Sequence, residues 1–190
     1  SGFLGQVLVS TIQKSIPNAE IVRINSHRMG GIDLSHHDAL PMLNRQLELS
    51  DPKNTVLIHT AANLKWNHSD AVLTNASMAM NLANWASSTG IGFNILVSTI
   101  NVNPPIPKVD VATRVEPQTL YGVGKLTAEY IWRLILPDAN RSIVRVSGIW
   151  GWQPHPTLFW NALLLAATRS SQPNETLVVK RNRSLRNYIS

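Results

Sequence analysis

A chain of 190 residues, 44% hydrophobic and 15% charged, has room for one ordinary domain with a sizeable core and lacks the composition of a disordered protein. It holds no cysteine and no apolar run of the roughly 18 residues that span a bilayer, which excludes disulfides, thiolate metal centres and a membrane helix. The net charge of +6 comes from scattered basic residues, and the densest group, Lys180-Arg181-Asn182-Arg183, has no interleaved aromatics. The expected partners are therefore small molecules, with no nucleic acid, no membrane and no metal. A reducing, cytoplasmic location is expected.

Ser1-Gly2-Phe3-Leu4-Gly5 leads into a predicted helix from Gln6 to Ser15, with Val7, Leu8, Thr11 and Ile12 on its buried side, broken by Pro17-Asn18. Glu20 to Ile24 is β-branched and predicts a strand; Asn25 to Gly31 is a polar turn. A short helix with Leu40, Leu43 and Leu47 on one face starts near Asp38, which puts Pro41 in its first turn. Thr55 to His59 is a buried-type strand, Ser69 to Ser88 a long helix stopped by Gly90 and Gly92, and Phe93 to Ser98 the next strand. Asn101 to Gln118 carries four prolines and must be a loop, long enough to suggest function. A helix from Tyr121 runs to Pro137, followed by a strand over Ser142 to Val146 and a Trp-rich loop over Gly148 to Pro156. A helix over Leu158 to Ala167 and a strand over Thr176 to Val179 close the chain.

Strands alternating with helices of this length predict parallel βαβ units: an α/β, Rossmann-like, doubly wound sheet with helices on both faces. In such sheets ligands lie beyond the carboxyl ends of the strands. The exits are Asn25 to Arg28, His59 to Ala62, Ser98 to Asn101 and Ser147 to Trp150. The Tyr121 helix begins on the same edge.

Tyr121 and Lys125 are four residues apart on that helix and share a face, so phenol and ammonium meet in one site. The ammonium is expected to lower the tyrosine pKa and make the hydroxyl a proton donor or acceptor for an alcohol or carbonyl. Ser98-Thr99, 22 residues before Tyr121, ends a strand where a hydroxyl holds a substrate oxygen. Gly2-x-x-Gly5 at a helix N-terminus suits a pyrophosphate. Asn25, twenty residues after Gly5, stands where a dinucleotide fold usually keeps an acidic residue. Asn25 does not repel a 2′-phosphate and Arg28 is placed to pair with one, which favours NADP over NAD. The small residues after His59 allow close approach of a ligand, while His59 itself reads as structural. Asn75 fits either a cofactor contact or a satisfied interior polar group.

The segments SGFLG, IHTAANLKW, LVSTINV, LYGVGKLTAEYI, IVRVSGIWG and RNYIS, in that order, resemble the extended short-chain dehydrogenase/reductase superfamily, the NAD(P)-dependent epimerase/dehydratase group. The resemblance runs from Ser1 to Ser190. It implies a cofactor domain over residues 1–150 and the start of a smaller substrate-binding region over 151–190. The first strand would then lie upstream of Ser1 and most of the substrate lobe beyond Ser190, leaving exposed sheet edges and an unstable piece.

Position by position, Gly2, Phe3, Leu4 and Gly5 resemble the later part of the family's glycine turn around the cofactor, and Asp33-Leu34 the pair that meets adenine. Ala61 and Ala62 resemble the turn beneath the cofactor. Asn75 and Ser98 are further cofactor-side candidates. Thr99 falls on the catalytic Ser/Thr position, Tyr121 and Lys125 on the acid/base tyrosine and its lysine, which also bonds the nicotinamide ribose. Arg186 resembles an arginine that contacts a substrate diphosphate, and Thr99 also faces substrate. The resemblance further implies a homodimer through a four-helix bundle of Ser69–Ser88 and Tyr121–Leu136, with Met78, Met80, Trp85 and Trp132 as candidate contacts.

Some positions depart from the family. Asn25 replaces the acidic residue, Ile100-Asn101-Val102 lacks the acid pair of sugar-nucleotide dehydratases, and Asn103 stands where many members carry a tyrosine. The implied function is an NAD(P)-dependent oxidoreductase or epimerase of an alcohol/carbonyl substrate, a nucleotide sugar first among candidates. The alternatives are an NADPH-dependent thioester or aldehyde reductase, because HTAANLKW also resembles those branches, and a non-catalytic dinucleotide-sensing module on the same fold.

Overall fold

Three parallel strands in the order β1-β2-β3 make the main sheet: β1 (Val56–His59), β2 (Phe93–Thr99) and β3 (Arg141–Val146). The computed structural model describes residues 2–24, 31–65, 67–110, 112–149 and 188–189. The chain divides into two compact units, Ser1–Val146 and Ser147–Ser190. In the first, helices α1 (Phe3–Ser15) and α2 (Ala39–Gln46) precede the sheet, α3 (Ser69–Thr89) joins β1 to β2, and α4 (Leu120–Ile135) joins β2 to β3. In the second, β4 (Gly148–Ile149) pairs in parallel with β5 (Tyr188–Ile189).

The register explains where the core sits. Leu96 lies opposite Ile143 and Ser98 opposite Arg145, so these side chains share one face of the sheet. Leu96 is fully buried there with Ala79, Leu82, Ala83, Ala128 and Trp132 from α3 and α4. Each such leucine contributes about 1.5–3 kcal/mol by leaving water. The other face is thinner: Phe93 and Val144 stay exposed.

Glycines let the helices come close. A Cβ at Gly124 would stand 2.8 Å from the Ala71 carbonyl oxygen and 2.9 Å from Val72 Cα, both backbone atoms of α3 that have no side-chain freedom to yield. Gly90, at φ 78°, ends α3 in the left-handed region, as a C-terminal glycine does. Thr119 caps α4, its Oγ1 accepting from the Gly122 amide at 3.0 Å.

Several expectations change. α1 starts at Phe3, with Gly2 as its N-cap, so Gly5 lies inside the first turn. Leu8 and Ile12 are only half-buried, while Val7 and Thr11 are exposed. Glu20 to Ile24 forms no strand among the described residues, because no neighbouring strand there supplies a ladder for its amides. Gly148 opens a short strand instead of a loop. Met78, Trp85 and Trp132 are buried inside the unit and only Met80 of the four supposed dimer contacts is exposed, since α3 and α4 spend those side chains on each other and on the sheet. The helix and strand expected over Leu158 to Val179 lie outside the described residues.

Candidate functional site

The first turn of α4 sits against the turn that follows Thr99. Residues Ile100–Val102 form one 3₁₀ turn at the exit of β2, and a Cβ on Gly122 would stand 2.5 Å from the Asn101 carbonyl oxygen. Only glycine permits that approach, and it brings the backbone carrying Tyr121 up to the backbone carrying Thr99. Thr99 is buried, and its Oγ1 accepts from the Asn101 amide at 3.2 Å and from Asn101 Nδ2 at 3.1 Å. Both contacts use the oxygen as acceptor, which leaves the hydroxyl hydrogen to donate.

Along α4, Tyr121, Lys125 and Glu129 follow at four-residue intervals, share one face, and are all buried. Burial decides the protonation of the first two. The Tyr121 phenol is pushed up to about 12 by loss of solvent around its anion. This reverses the expected lowering, and desolvation is its cause. Lys125, 2% exposed, is driven down to about 8 by the same desolvation, opposed by the charge of Glu129. Among the described residues no hydrogen bond or ion pair takes up its ammonium.

Glu129 is the group that reading the sequence for function missed, although its spacing from Lys125 repeats that of Lys125 from Tyr121. Its carboxylate accepts from Ser98 Oγ at 2.6 Å and from Arg145 Nε and Nη2 at 2.9 and 2.7 Å. Those hydrogen bonds raise the Arg145 pKa above its ordinary value. Arg145 Nη1 also reaches Asn103 Oδ1 at 3.5 Å, in the loop beyond Thr99.

His59, at the end of β1, is buried and stacks on Trp132 with ring centroids 5.8 Å apart. Desolvation, and then the charge on Lys125, push its pKa from 6.5 down to about 3, so the ring is neutral at working pH. Between pH 6.5 and 3 the unfolded chain binds a proton here that the folded chain does not, so stability falls as pH falls. The loss is about 1.4 kcal/mol per pH unit across that window. Urea titrations of the chain and of His59→Asn at several acid pH values check this. The variant's stability is expected to have a shallower pH slope, and equal slopes would remove the assignment.

The remaining expected residues fall into three groups. Gly2 and Gly5, with Phe3 and Leu4 between them, form the exposed to half-buried N-terminus of α1, and a Cβ on Gly2 would meet nothing within 4 Å. Ala61 is exposed and Ala62 half-buried in the segment beyond β1. Asn75 holds that segment: its Oδ1 accepts from the Asn63 amide at 2.8 Å and its Nδ2 donates to the Asn63 carbonyl at 3.1 Å. Asp33 is exposed and accepts from the amide and hydroxyl of Ser35 at 2.9 and 2.6 Å, while Leu34 joins the core. Ser98 turns its hydroxyl to Glu129. Asn25, Arg28 and Arg186 lie outside the described residues.

No protein-family model and no curated protein matches the sequence. Solved structures do match the fold. A dTDP-4-dehydrorhamnose reductase from Clostridium acetobutylicum superposes with a TM-score of 0.71 at 23% identity, over 88% of this chain and 57% of its own. A UDP-galactose 4-epimerase gives 0.70 at 18% identity, over 89% and 60%. A short-chain dehydrogenase/reductase superfamily protein from Agrobacterium tumefaciens with bound NAD gives 0.65 at 19%, over 85% and 52%. The chain shares the Rossmann-like α/β fold of these proteins. The chain spans a little over half the length of these proteins. In this chain Thr99 ends β2, and Tyr121 and Lys125 lie in the first two turns of α4. Among the described residues no helix is long and apolar enough to cross a membrane.

Proposed function

We propose that the protein is an NAD(P)-dependent oxidoreductase or epimerase that acts on an alcohol or carbonyl of a nucleotide sugar. The observation that carries this reading is the close approach of Gly122, next to Tyr121, to Asn101, two residues beyond the buried Thr99, with Lys125 buried one turn further along α4. Two features support a dinucleotide. A buried ammonium without an acceptor among the described residues suits a ribose hydroxyl, and the open N-terminus of α1 at Gly2 suits a pyrophosphate. The nicotinamide, when bound, supplies or accepts the hydride.

The chain's own residues supply the proton and the geometry. Tyr121, held as the neutral phenol by burial, gives its proton to the substrate oxygen as a carbonyl becomes an alcohol. Lys125, as the ammonium, stabilises the phenolate that remains until a proton from solvent restores the phenol. Thr99 donates its hydroxyl hydrogen to the same substrate oxygen. In the opposite direction the phenolate takes the alcohol's proton, and the positive charge on Lys125 makes that form accessible.

Asn25 and Arg28 favour NADP in this reading, and Arg186 contacts the substrate diphosphate. Residues 1–150 hold the cofactor and 151–190 open the substrate region. The enzyme is cytoplasmic and works as a homodimer through α3 and α4, where Leu73, Met80, Tyr130 and Leu134 are exposed. The test is to mix the protein with each of NADPH, NADH, NADP+ and NAD+ and a panel of dTDP- and UDP-sugars. Binding of the cofactor, with either stoichiometric oxidation or sugar interconversion without net oxidation, is the expected result; the second outcome marks an epimerase. Absence of cofactor binding, or binding with no turnover of any sugar, contradicts it.

A further inference from the structure

The mechanism above leaves a buried charge unused. Glu129 is fully buried on the face of α4 that carries Tyr121 and Lys125, and nothing in the proton transfer requires it. Yet its carboxylate touches two strands at once. From β2 comes Ser98, the residue immediately before Thr99; from β3 comes Arg145, whose register partner is that same Ser98. Arg145 continues to Asn103, so the chain of contacts passes from β2 through α4 and β3 to the loop beyond Thr99.

We propose that Glu129, with Ser98 and Arg145 as its partners, is a positioning residue that fixes the Tyr121–Lys125 face of α4 against the strand ending in Thr99 and sets its negative charge one turn beyond Lys125 on that face. This rests on the functional reading above. The cost of burying the pair argues for such a role. An ion pair taken from water loses solvation that its mutual attraction only partly returns, and an apolar pair of similar volume is often as stable. Geometry is what the pair adds. Bidentate contact from a guanidinium fixes the carboxylate in direction as well as distance. The hydroxyl of Ser98 occupies a further lone pair, so the side chain has little freedom left. A shift of α4 along β2 by about 1 Å would break these bonds and is the size of error that costs about 100-fold in rate.

Charge forms the second half of the role. Lys125 is faced by His59 from β1, which is neutral, and by Tyr121 and Glu129 from its own helix. Glu129 is in turn faced by Arg145 from β3 and, at 3.7 Å, by the half-exposed Arg133 of α4. Glu129 is therefore the one anion among the described residues with a charge effect on Lys125, and it opposes the desolvation that would neutralise the amine.

The experiment uses two substitutions and two readouts. Glu129→Gln keeps one oxygen, for Ser98 and Arg145 Nε, removes the charge and gives up the Nη2 contact; Glu129→Ala removes the charge and every contact. Carbon NMR of isotopically labelled lysine follows the titration of Lys125, and kcat and KM are measured with cofactor and nucleotide sugar. In Glu129→Gln the Lys125 titration moves to lower pH, kcat keeps most of its value where Lys125 is still charged, and the alkaline fall in rate moves with it. In Glu129→Ala kcat drops about 100-fold with KM within about threefold. An unmoved Lys125 titration in Glu129→Gln overturns the proposal. So does a folded Glu129→Ala with unchanged kcat, or a glutamine variant as impaired as the alanine one at every pH. If the unsubstituted protein turns over no sugar, the functional reading fails separately, and the NMR titration still decides the coupling of Glu129 to Lys125.

Discussion

Lys125→Met is expected to stabilise the chain and to remove the proposed turnover. The two effects have one cause, the burial of an amine at 2% exposure. In the unfolded chain this lysine titrates near 10.5; in the fold it titrates near 8. Between those values the unfolded state binds more protons, so stability rises with pH through the window and the full deficit is present below pH 8. The linkage amounts to about 3 kcal/mol at neutral pH, at about 1.4 kcal/mol per pH unit. Methionine has similar length and no charge to desolvate, and Glu129 keeps Arg145 as its counter-ion. Urea denaturation of Lys125→Met at pH 7 is therefore expected to show a gain of about 1–3 kcal/mol, and the rise in stability between pH 8 and 10.5 should disappear. Turnover should fall about 10²–10⁴-fold, because the phenolate left by proton transfer has lost its cation. A destabilised variant would mean that Lys125 is held by contacts that outweigh its desolvation.

The parts of the fold that were legible in the sequence are those where local pattern and tertiary packing agree. α3 ends where Gly90 permits a left-handed cap, α2 begins where Pro41 falls in the first turn, and β2 and β3 carry β-branched runs whose alternate residues meet the core. The junction of the β2 exit and the α4 start was legible for the same reason: strand exits and helix starts gather at one side of a parallel sheet. What was not legible depends on partners distant in sequence. Glu20 to Ile24 has strand composition, but a strand exists only with a ladder beside it. Glu129 reads as a solvated helix residue until the register sets Ser98 beside Arg145 and turns both toward α4.

Electrostatics was the least legible of all. Four-residue spacing implies that Lys125 lowers the Tyr121 pKa, and that inference omits how far water is excluded. Tyr121 stands near 12 and Lys125 near 8 because both lose solvent together. Trp132 and Met78 show the same limitation for packing. Their helical spacing marks an apolar face without saying whether that face meets the sheet, the other helix or a second copy of the chain; here it meets the core.

Tyr121→Phe removes one oxygen from a buried side chain whose ring keeps its place. Thr99, Lys125 and the α4 contact at Gly122 are untouched, so the variant should fold and bind the dinucleotide as before. What is lost is the hydroxyl proposed to give or take the substrate proton, a contribution of about 10²–10⁴-fold. The direct test is to measure kcat with a nucleotide sugar and the Kd for NADPH on the same preparation of Tyr121→Phe. The account predicts a fall in kcat of about 10²–10⁴-fold with the Kd changed by less than about threefold. Turnover within about threefold of the unsubstituted protein would contradict the assignment of Tyr121 as the proton-transfer residue.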